Sequence, residues 1–357
     1  MCDVCSHYSV AATRILVIKL DAVGDVLRTT SILHGLREQY PNSEIVWITR
    51  QSALPLFENN LLVDSVRAFE ATETTLSSAV EEFDLAINLD AAFESAAMAS
   101  RVTAKTKLGF GLDTRGNIHP LNDEAVAWFE MGAFDQLKKK NARSYQDIML
   151  GICRLPSGKK NIVLELSQKE IEGAEQFARK RRLNRAKVVI GLNTGASGRW
   201  QFKQWTLEGF RGLIKLLLKK TDATILLYGG PLERERNSQL SRMHRTRVIN
   251  TGTENSLREF FGLITLCDIF ITGDTLALHA ATALKKRIIA LFGPTSSAEI
   301  DTYDGQITRV QSDLDCLVCY KQRCDFDPNC MNSITAEQMF SIVISTIALL
   351  PKRQGKK

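Results

Sequence analysis

The sequence predicts an α/β protein made of two doubly wound parallel sheets, and three observations carry that expectation. Residues 268–272 (DIFIT) and 287–292 (RIIALF) are apolar almost throughout, rich in β-branched residues, and separated by a helix-length stretch of small residues. Such runs mark parallel strands covered on both faces, so the stretch forms one βαβ unit. The same alternation of strand, loop and helix starts at residue 14 and again at residue 187. A chain of 357 residues is too long for one ordinary α/β domain and comfortable for two.

In the first half, strands are predicted at 14–20, 44–49, 65–69 and 84–89, with helices at 26–40, 54–59, 74–82 and 93–101, and 107–110 ends the regular part. Pro41 stops the first helix. Residues 111–160 are less regular and hold helical stretches at 123–131 and 144–154. They also hold the basic cluster Lys138, Lys139, Lys140 and Arg143, which reads as solvated surface or as a rim for an anionic acceptor. A helix at 168–182 leads across to the second half. There the strands KVVIGLN, ATILLY, RVINT, DIFIT and RIIALF alternate with helices at 206–220, after 235, at 256–267 and at 275–284. A weak strand near 308–311 and an amphipathic helix at 335–350 follow, and the basic tail PKRQGKK closes the chain. The expected domains are 14–165, 186–334 and a C-terminal helix, 335–350, packing back towards the N-terminal domain. Both halves read as Rossmann-like and are expected to face each other across a cleft.

Composition narrows the function. The hydrophobic fraction of 44 % and charged fraction of 24 % are those of a soluble globular protein. A net charge of +6 favours anionic ligands or membrane surfaces without demanding nucleic acid, and no nucleic-acid partner is expected. The first 13 residues lack a signal peptide's apolar core, and no apolar run would span a bilayer, so a cytoplasmic protein is expected. Neither GxxxxGK[ST] nor GxGxxG is present, which removes the best support for ATP hydrolysis and hydride transfer.

Ligands of parallel α/β sheets sit beyond the carboxyl ends of the strands, and the candidate residues are there. Asp25, in KLDAVGDV, is either a base or the cap of the helix expected from Val26. Lys19, six residues earlier, is either surface-exposed or a cationic contact for an acceptor phosphate. Loop 194–205 offers Thr194, Gly195, Ser197 and Lys203 before a helix, a combination of hydroxyls, cation and close backbone approach that suits a diphosphate. Glu233 is placed to accept from a ribose or to favour a helix dipole. Asp274 or Thr275 caps the next helix, where a phosphate-bearing ligand fits, and His279 is a ligand contact or a satisfied helix histidine.

Of eight cysteines, Cys153 and Cys267 read as core and Cys2 and Cys5 lie in the N-terminal tail. Cys316, Cys319, Cys324 and Cys330 form C-x2-C-x4-C-x5-C. Four close thiolates suit structural zinc or iron; disulfides and plain reduced thiols are the alternatives.

Taken together, ILVIKLDAVGDVLRTTSIL, NTGASGRWQFKQW, YGGPLERE and TGDTLALHAATALKKRIIALFGPT resemble glycosyltransferase family 9, the ADP-heptose:lipopolysaccharide heptosyltransferases. The resemblance covers nearly all of residues 14–350. It implies the GT-B fold, an N-terminal acceptor-binding domain, a C-terminal nucleotide-sugar-binding domain, and inverting transfer of heptose that needs no catalytic cofactor. It implies that Asp25 is the general base and that Lys19 lies near acceptor phosphates. Thr194, Gly195, Ser197, Lys203, Glu233, Asp274, Thr275 and His279 would hold the donor. The implied partners are ADP-heptose, a lipopolysaccharide core or related glycolipid, and the inner face of the inner membrane as a peripheral contact. Leu276 stands where the family commonly has glycine, which leaves another donor or acceptor open. A non-catalytic nucleotide-sugar-binding protein is the rival from a different class.

Overall fold

The computed structural model describes residues 13–196, 198 and 201–351. They form two compact units. One runs to Leu137 and resumes over Arg143–Glu165, and the other comprises Lys138–Ala142 and the chain from Leu166 onward.

The first unit contains β1 (Thr13–Ile18), α1 (Val23–Thr29), α2 (Ile32–Gln39), β2 (Ser43–Thr49), β3 (Ser65–Ala68), α3 (Thr72–Val80), β4 (Glu82–Asn88), α4 (Phe93–Arg101), β5 (Thr103–Leu112), β6 (Ile118–Pro120) and α5 (Asp123–Ala133). Next come α6 (Asp135–Lys140), inside which the division falls, and α7 (Tyr145–Ile152). The sheet order is β3-β2-β1-β4-β5-β6. The first five strands run parallel and β6 returns antiparallel beside β5. Ile15, Leu16, Val17 and Ile18 are wholly buried, as a central strand covered on both faces requires. The order reverses at β1, and the chain leaves that strand at Lys19.

Two local expectations are corrected here. The helix expected over 26–40 starts at Val23 and is broken into α1 and α2. At the break, Thr30 Oγ1 donates to the Leu27 carbonyl and takes the Val163 amide at 2.8 Å, so a side chain competes with the helix for backbone partners. The helix expected at 54–59 is a 3-10 turn over Gln51–Phe57, where Pro55 removes a helical donor.

The second unit contains α8 (Gln168–Lys180), β7 (Val189–Asn193), α9 (Leu207–Lys220), β8 (Thr224–Tyr228), α10 (Arg234–Ser241), β9 (Val248–Asn250), α11 (Leu257–Ile264), β10 (Ile269–Gly273), α12 (Leu276–Ala283), β11 (Arg287–Phe292), β12 (Ile307–Gln311) and α13 (Ala336–Ala348). Its sheet runs β12-β11-β10-β7-β8-β9, with every pair parallel. The order reverses between β7 and β10, which places the loops after these strands at the switch point.

Ile190, Leu192, Ile269, Ile271, Ile289 and Leu291 pack with Phe210, Leu213 and Leu217 of α9 in one core. Met339 and Val343 of α13 enter the same core at 0 % exposure. The apolar stripe of this helix is therefore buried within its own unit. On the other side, α8 is fastened to α11 by a bidentate pair, Arg258 Nε to Glu170 Oε1 at 2.8 Å and Nη2 to Oε2 at 2.6 Å. Among the described residues, no helix is long and apolar enough to cross a membrane.

Candidate functional site

At the carboxyl end of β1 the chain gathers charge. Lys19 is 5 % exposed and forms an ion pair with Asp90, while donating to the Asp21 carbonyl at 2.9 Å. Asp90 also accepts the Leu20 amide and so pins the loop entering α1. Burial works against the Lys19 ammonium, but Tyr145, Asp90 and Asp25 reverse the effect and hold its pKa above the usual lysine value. This lysine is thus internal and engaged.

Asp25 is the third residue of α1, and Ala22 occupies the cap position, so the cap reading of Asp25 is corrected. Its carboxylate lies 2.8 Å from Arg28 Nη2 and takes a long contact, 3.4 Å, from the Ala22 amide. The side chain is 39 % exposed.

In the C-terminal unit the loop after β7 is tied down from several sides. Thr194 Oγ1 lies 2.6 Å from Asn237 Oδ1, and the Thr194 carbonyl accepts from Gln204 Nε2 at 2.7 Å and Arg236 Nη1 at 2.9 Å. Gly195 meets Glu233 so closely that a Cβ would stand 2.4 Å from the carboxyl carbon. Glu233 itself is buried and accepts the Gly230 amide at 2.9 Å. Ser197 lies outside the described residues.

Lys203 Nζ lies 2.7 Å from Asp274 Oδ2, and Thr295 Oγ1 donates to the same oxygen at 2.8 Å. Thr275, not Asp274, caps α12, accepting the Ala277 amide at 3.2 Å. Asp274 is therefore available to the cation while the hydroxyl next to it holds the helix start. His279 is buried one turn further on. Asn193 latches the two switch-point loops together, donating to the Gly195 carbonyl and to Thr272 Oγ1, both at 3.0 Å.

The cysteine segment borders this arrangement. Val318 and Tyr320 donate their amides to the Gly293 and Pro294 carbonyls at 3.2 and 2.8 Å, just before Thr295. Cys316, Cys319, Cys324 and Cys330 line one pocket with Phe202, Pro294 and Arg323. Burial, with the charges of Cys319, Cys324 and Cys316, pushes the Cys330 thiol up to about 11. All four are free thiols. Among the described residues, no group of three or more His, Cys, Asp or Glu is arranged to hold a metal ion.

The profile of glycosyltransferase family 9 (heptosyltransferase) matches residues 77–329, more than half of the sequence. The chain belongs to glycosyltransferase family 9. Lipooligosaccharide heptosyltransferase 2 of Campylobacter jejuni subsp. jejuni serotype O:6 is 26 % identical over 162 residues, covering 44 % of this chain and 51 % of that protein. The chain thus spans about half the length of that relative. Among solved structures, a glycosyl transferase family 9 protein from Veillonella parvula superposes with a TM-score of 0.75 at 18 % identity, covering 94 % of this chain and 97 % of that one. E. coli ADP-heptose lps heptosyltransferase II superposes at 0.68 with 19 % identity, covering 94 % and 98 %. These likenesses establish the GT-B fold.

Within this family 9 chain, the structure brings Thr194, Gly195 and Glu233 into one group and Lys203, Asp274 and Thr275 into another. Asp90, Asn193, Gln204, Arg236 and Thr295 are additions that the sequence reading missed. Asp90 carried a readable signal: DLAINLD ends β4 as VIKLD ends β1, and the two strands flank the switch point. Asn193 also ends a switch-point strand, whereas Thr295 takes part through a distant loop and Arg236 from α10.

Proposed function

We propose that the chain is an inverting, metal-independent glycosyltransferase that moves heptose from ADP-heptose to a lipopolysaccharide core or related surface glycan. The observation that carries this reading is the Lys203–Asp274–Thr295 cluster at the switch point of a family 9 chain. The ADP-heptose named for the E. coli structural relative supports the donor.

In this reading the C-terminal unit holds the donor. Lys203 balances the charge that grows on the leaving diphosphate. Glu233, beside Gly195, receives the ribose. Asp274, Thr275 and His279 frame the phosphates and sugar, and Ser197 contributes from the same loop as Thr194. Asp25 of the N-terminal unit takes the proton of the acceptor hydroxyl. That oxygen bonds to the anomeric carbon from the face opposite the leaving group, and the carbon–oxygen bond to ADP breaks with its electron pair. Lys19 acts near the acceptor by fixing the loop that leads to Asp25. The enzyme works at the cytoplasmic face of the inner membrane, held peripherally by basic residues and by the acceptor.

Transfer from ADP-heptose to a heptose-deficient core tests the reading, with Asp25→Ala compared to wild type. Turnover by wild type, with near loss in a variant that still binds ADP, is the expected result. ADP binding without transfer would point to another donor or acceptor, with Leu276, half-buried in the first turn of α12, as the residue to vary. Failure to bind any nucleotide would sink the enzyme reading. For the cysteine segment we propose a structural part. Metal analysis of protein purified without chelator decides whether zinc or iron joins the thiols, and a metal-free result removes that version.

A further inference from the structure

The carboxylate given the proton-accepting role has an unusual neighbour. Arg28 stands one turn after Asp25 on α1, with side-chain exposures of 12 % and 39 %. An exposed ion pair at this spacing contributes little, because two long side chains must be held still in water. Arg28 is not held that way. Its guanidinium carbon lies 3.6 Å from the centroid of the Tyr145 ring, a cation–π contact out of water.

Tyr145 in turn is 2 % exposed, its hydroxyl lies 2.7 Å from Thr29 Oγ1, and its ring meets Trp128 edge-on at 5.7 Å. Residues of α1, α5 and α7 therefore fix the arginine. A cation in the last turn of α1 also suits the helix dipole. That explanation needs only a solvated charge, however, and leaves the burial against Tyr145 unexplained.

We propose that Arg28 is a positioning residue: clamped on Tyr145, it holds the Asp25 carboxylate in one orientation and in its charged form until the acceptor proton arrives. The proposal rests on the reading of Asp25 as the base. The chemistry is unchanged, since Asp25 gains the proton and Arg28 keeps its own throughout. Other ionisable groups also face Asp25. Lys19 comes from the end of β1 and is neutralised by Asp90, and Tyr145 comes from α7, its hydroxyl raised by burial and further by the Asp25 charge. Removing Arg28 therefore takes away one of the cations facing Asp25.

The test compares Arg28→Ala and Arg28→Lys with Asp25→Asn in the full chain, each checked for folding and ADP binding. Arg28→Ala should lower kcat by about 10- to 100-fold, as a misplaced reacting group does, with the donor KM unchanged. Its acid limb of kcat against pH should rise by about one unit, because a carboxylate that loses a neighbouring cation protonates more easily. Added guanidinium ion should restore part of the rate, and Arg28→Lys should fall between. Wild-type kcat with an unmoved acid limb would overturn the proposal, and so would a lower kcat with neither a limb shift nor rescue. If Arg28→Ala does not fold, Arg28→Lys carries the same limb and KM comparison. Loss of turnover in Asp25→Asn alone leaves the base reading standing without Arg28, whereas retained turnover in Asp25→Asn removes the base reading itself.

Discussion

Lys203→Met separates the two things the Lys203–Asp274 pair does. The substitution keeps the length of the side chain and removes an ammonium 2.7 Å from Asp274 Oδ2, where the side chains are only 17 % and 14 % exposed. Removing one partner of a fully buried pair costs about 3–5 kcal/mol. Some water reaches this pair and Thr295 still donates to the carboxylate, so we expect about 2 kcal/mol. For a unit of this size that corresponds to about 4–8 °C in Tm. The double variant Lys203→Met/Asp274→Asn should recover part of the loss, with a coupling of about 1–2 kcal/mol.

Calorimetric titration with ADP supplies the second readout. Lys203→Met should weaken ADP by about 10- to 100-fold, the range of one lost charge-assisted hydrogen bond. Asp274→Asn should not weaken ADP, because it removes a negative charge from beside the diphosphate, yet it should impair heptose transfer. The reasoning is refuted if Lys203→Met keeps the wild-type Tm and ADP affinity, or if Asp274→Asn weakens ADP as much as Lys203→Met does.

Three further outcomes are expected. Glu170→Gln should lose about 2–4 kcal/mol, since it strips a buried bidentate partner from Arg258, and chemical denaturation measures it. Burial acts to raise the Glu170 pKa, but hydrogen bonds from Arg258 and Ser167 outweigh it and hold the value below 4.5. A depressed carboxyl stabilises the fold above its unfolded pKa, so this contribution is present above about pH 4.5, fades as pH falls through the folded value and is missing from the Gln variant's pH profile. In Gly273→Ala the new Cβ would stand 2.1 Å from the Lys203 carbonyl oxygen, a backbone atom that cannot swing away. Weaker ADP binding and a loss of about 1–3 kcal/mol follow, and an unchanged affinity would show that the Lys203 loop is not part of the donor site. Met339→Ala should cost about 2–5 kcal/mol in thermal unfolding, which a helix merely resting on the surface would not.

The strands were legible because burial on both faces writes itself as continuous apolar runs: VVIGLN, DIFIT and RIIALF are strands as read, and the sheet places them beside one another. Partners across the chain were not legible. The break between α1 and α2 depends on a hydroxyl whose partner lies 133 positions away. The stripe on α13 announced a buried face without saying against what. Capping was misjudged for a local reason. Small polar residues that suit an N-cap also suit the first turn, so Asp25 falls inside α1, which starts at Val23, while Thr275, one of the two caps read for the helix after β10, does cap it. Lys203 and Asp274, read singly as donor contacts, turn out to be each other's partner, which only the fold could bring together.

The Thr30–Val163 contact has a further consequence for how the protein is made. A single hydroxyl joins the break between α1 and α2 to a segment synthesised more than a hundred residues later, by accepting the Val163 amide. A nascent chain that has completed β1 to β5 still lacks this fastening and waits for residues 143–165 to leave the ribosome. During that interval the sheet's apolar faces are only partly covered, the state in which large α/β chains are exposed to misassembly. Translation speed over residues 121–165 would then set how long a chaperone has something to hold.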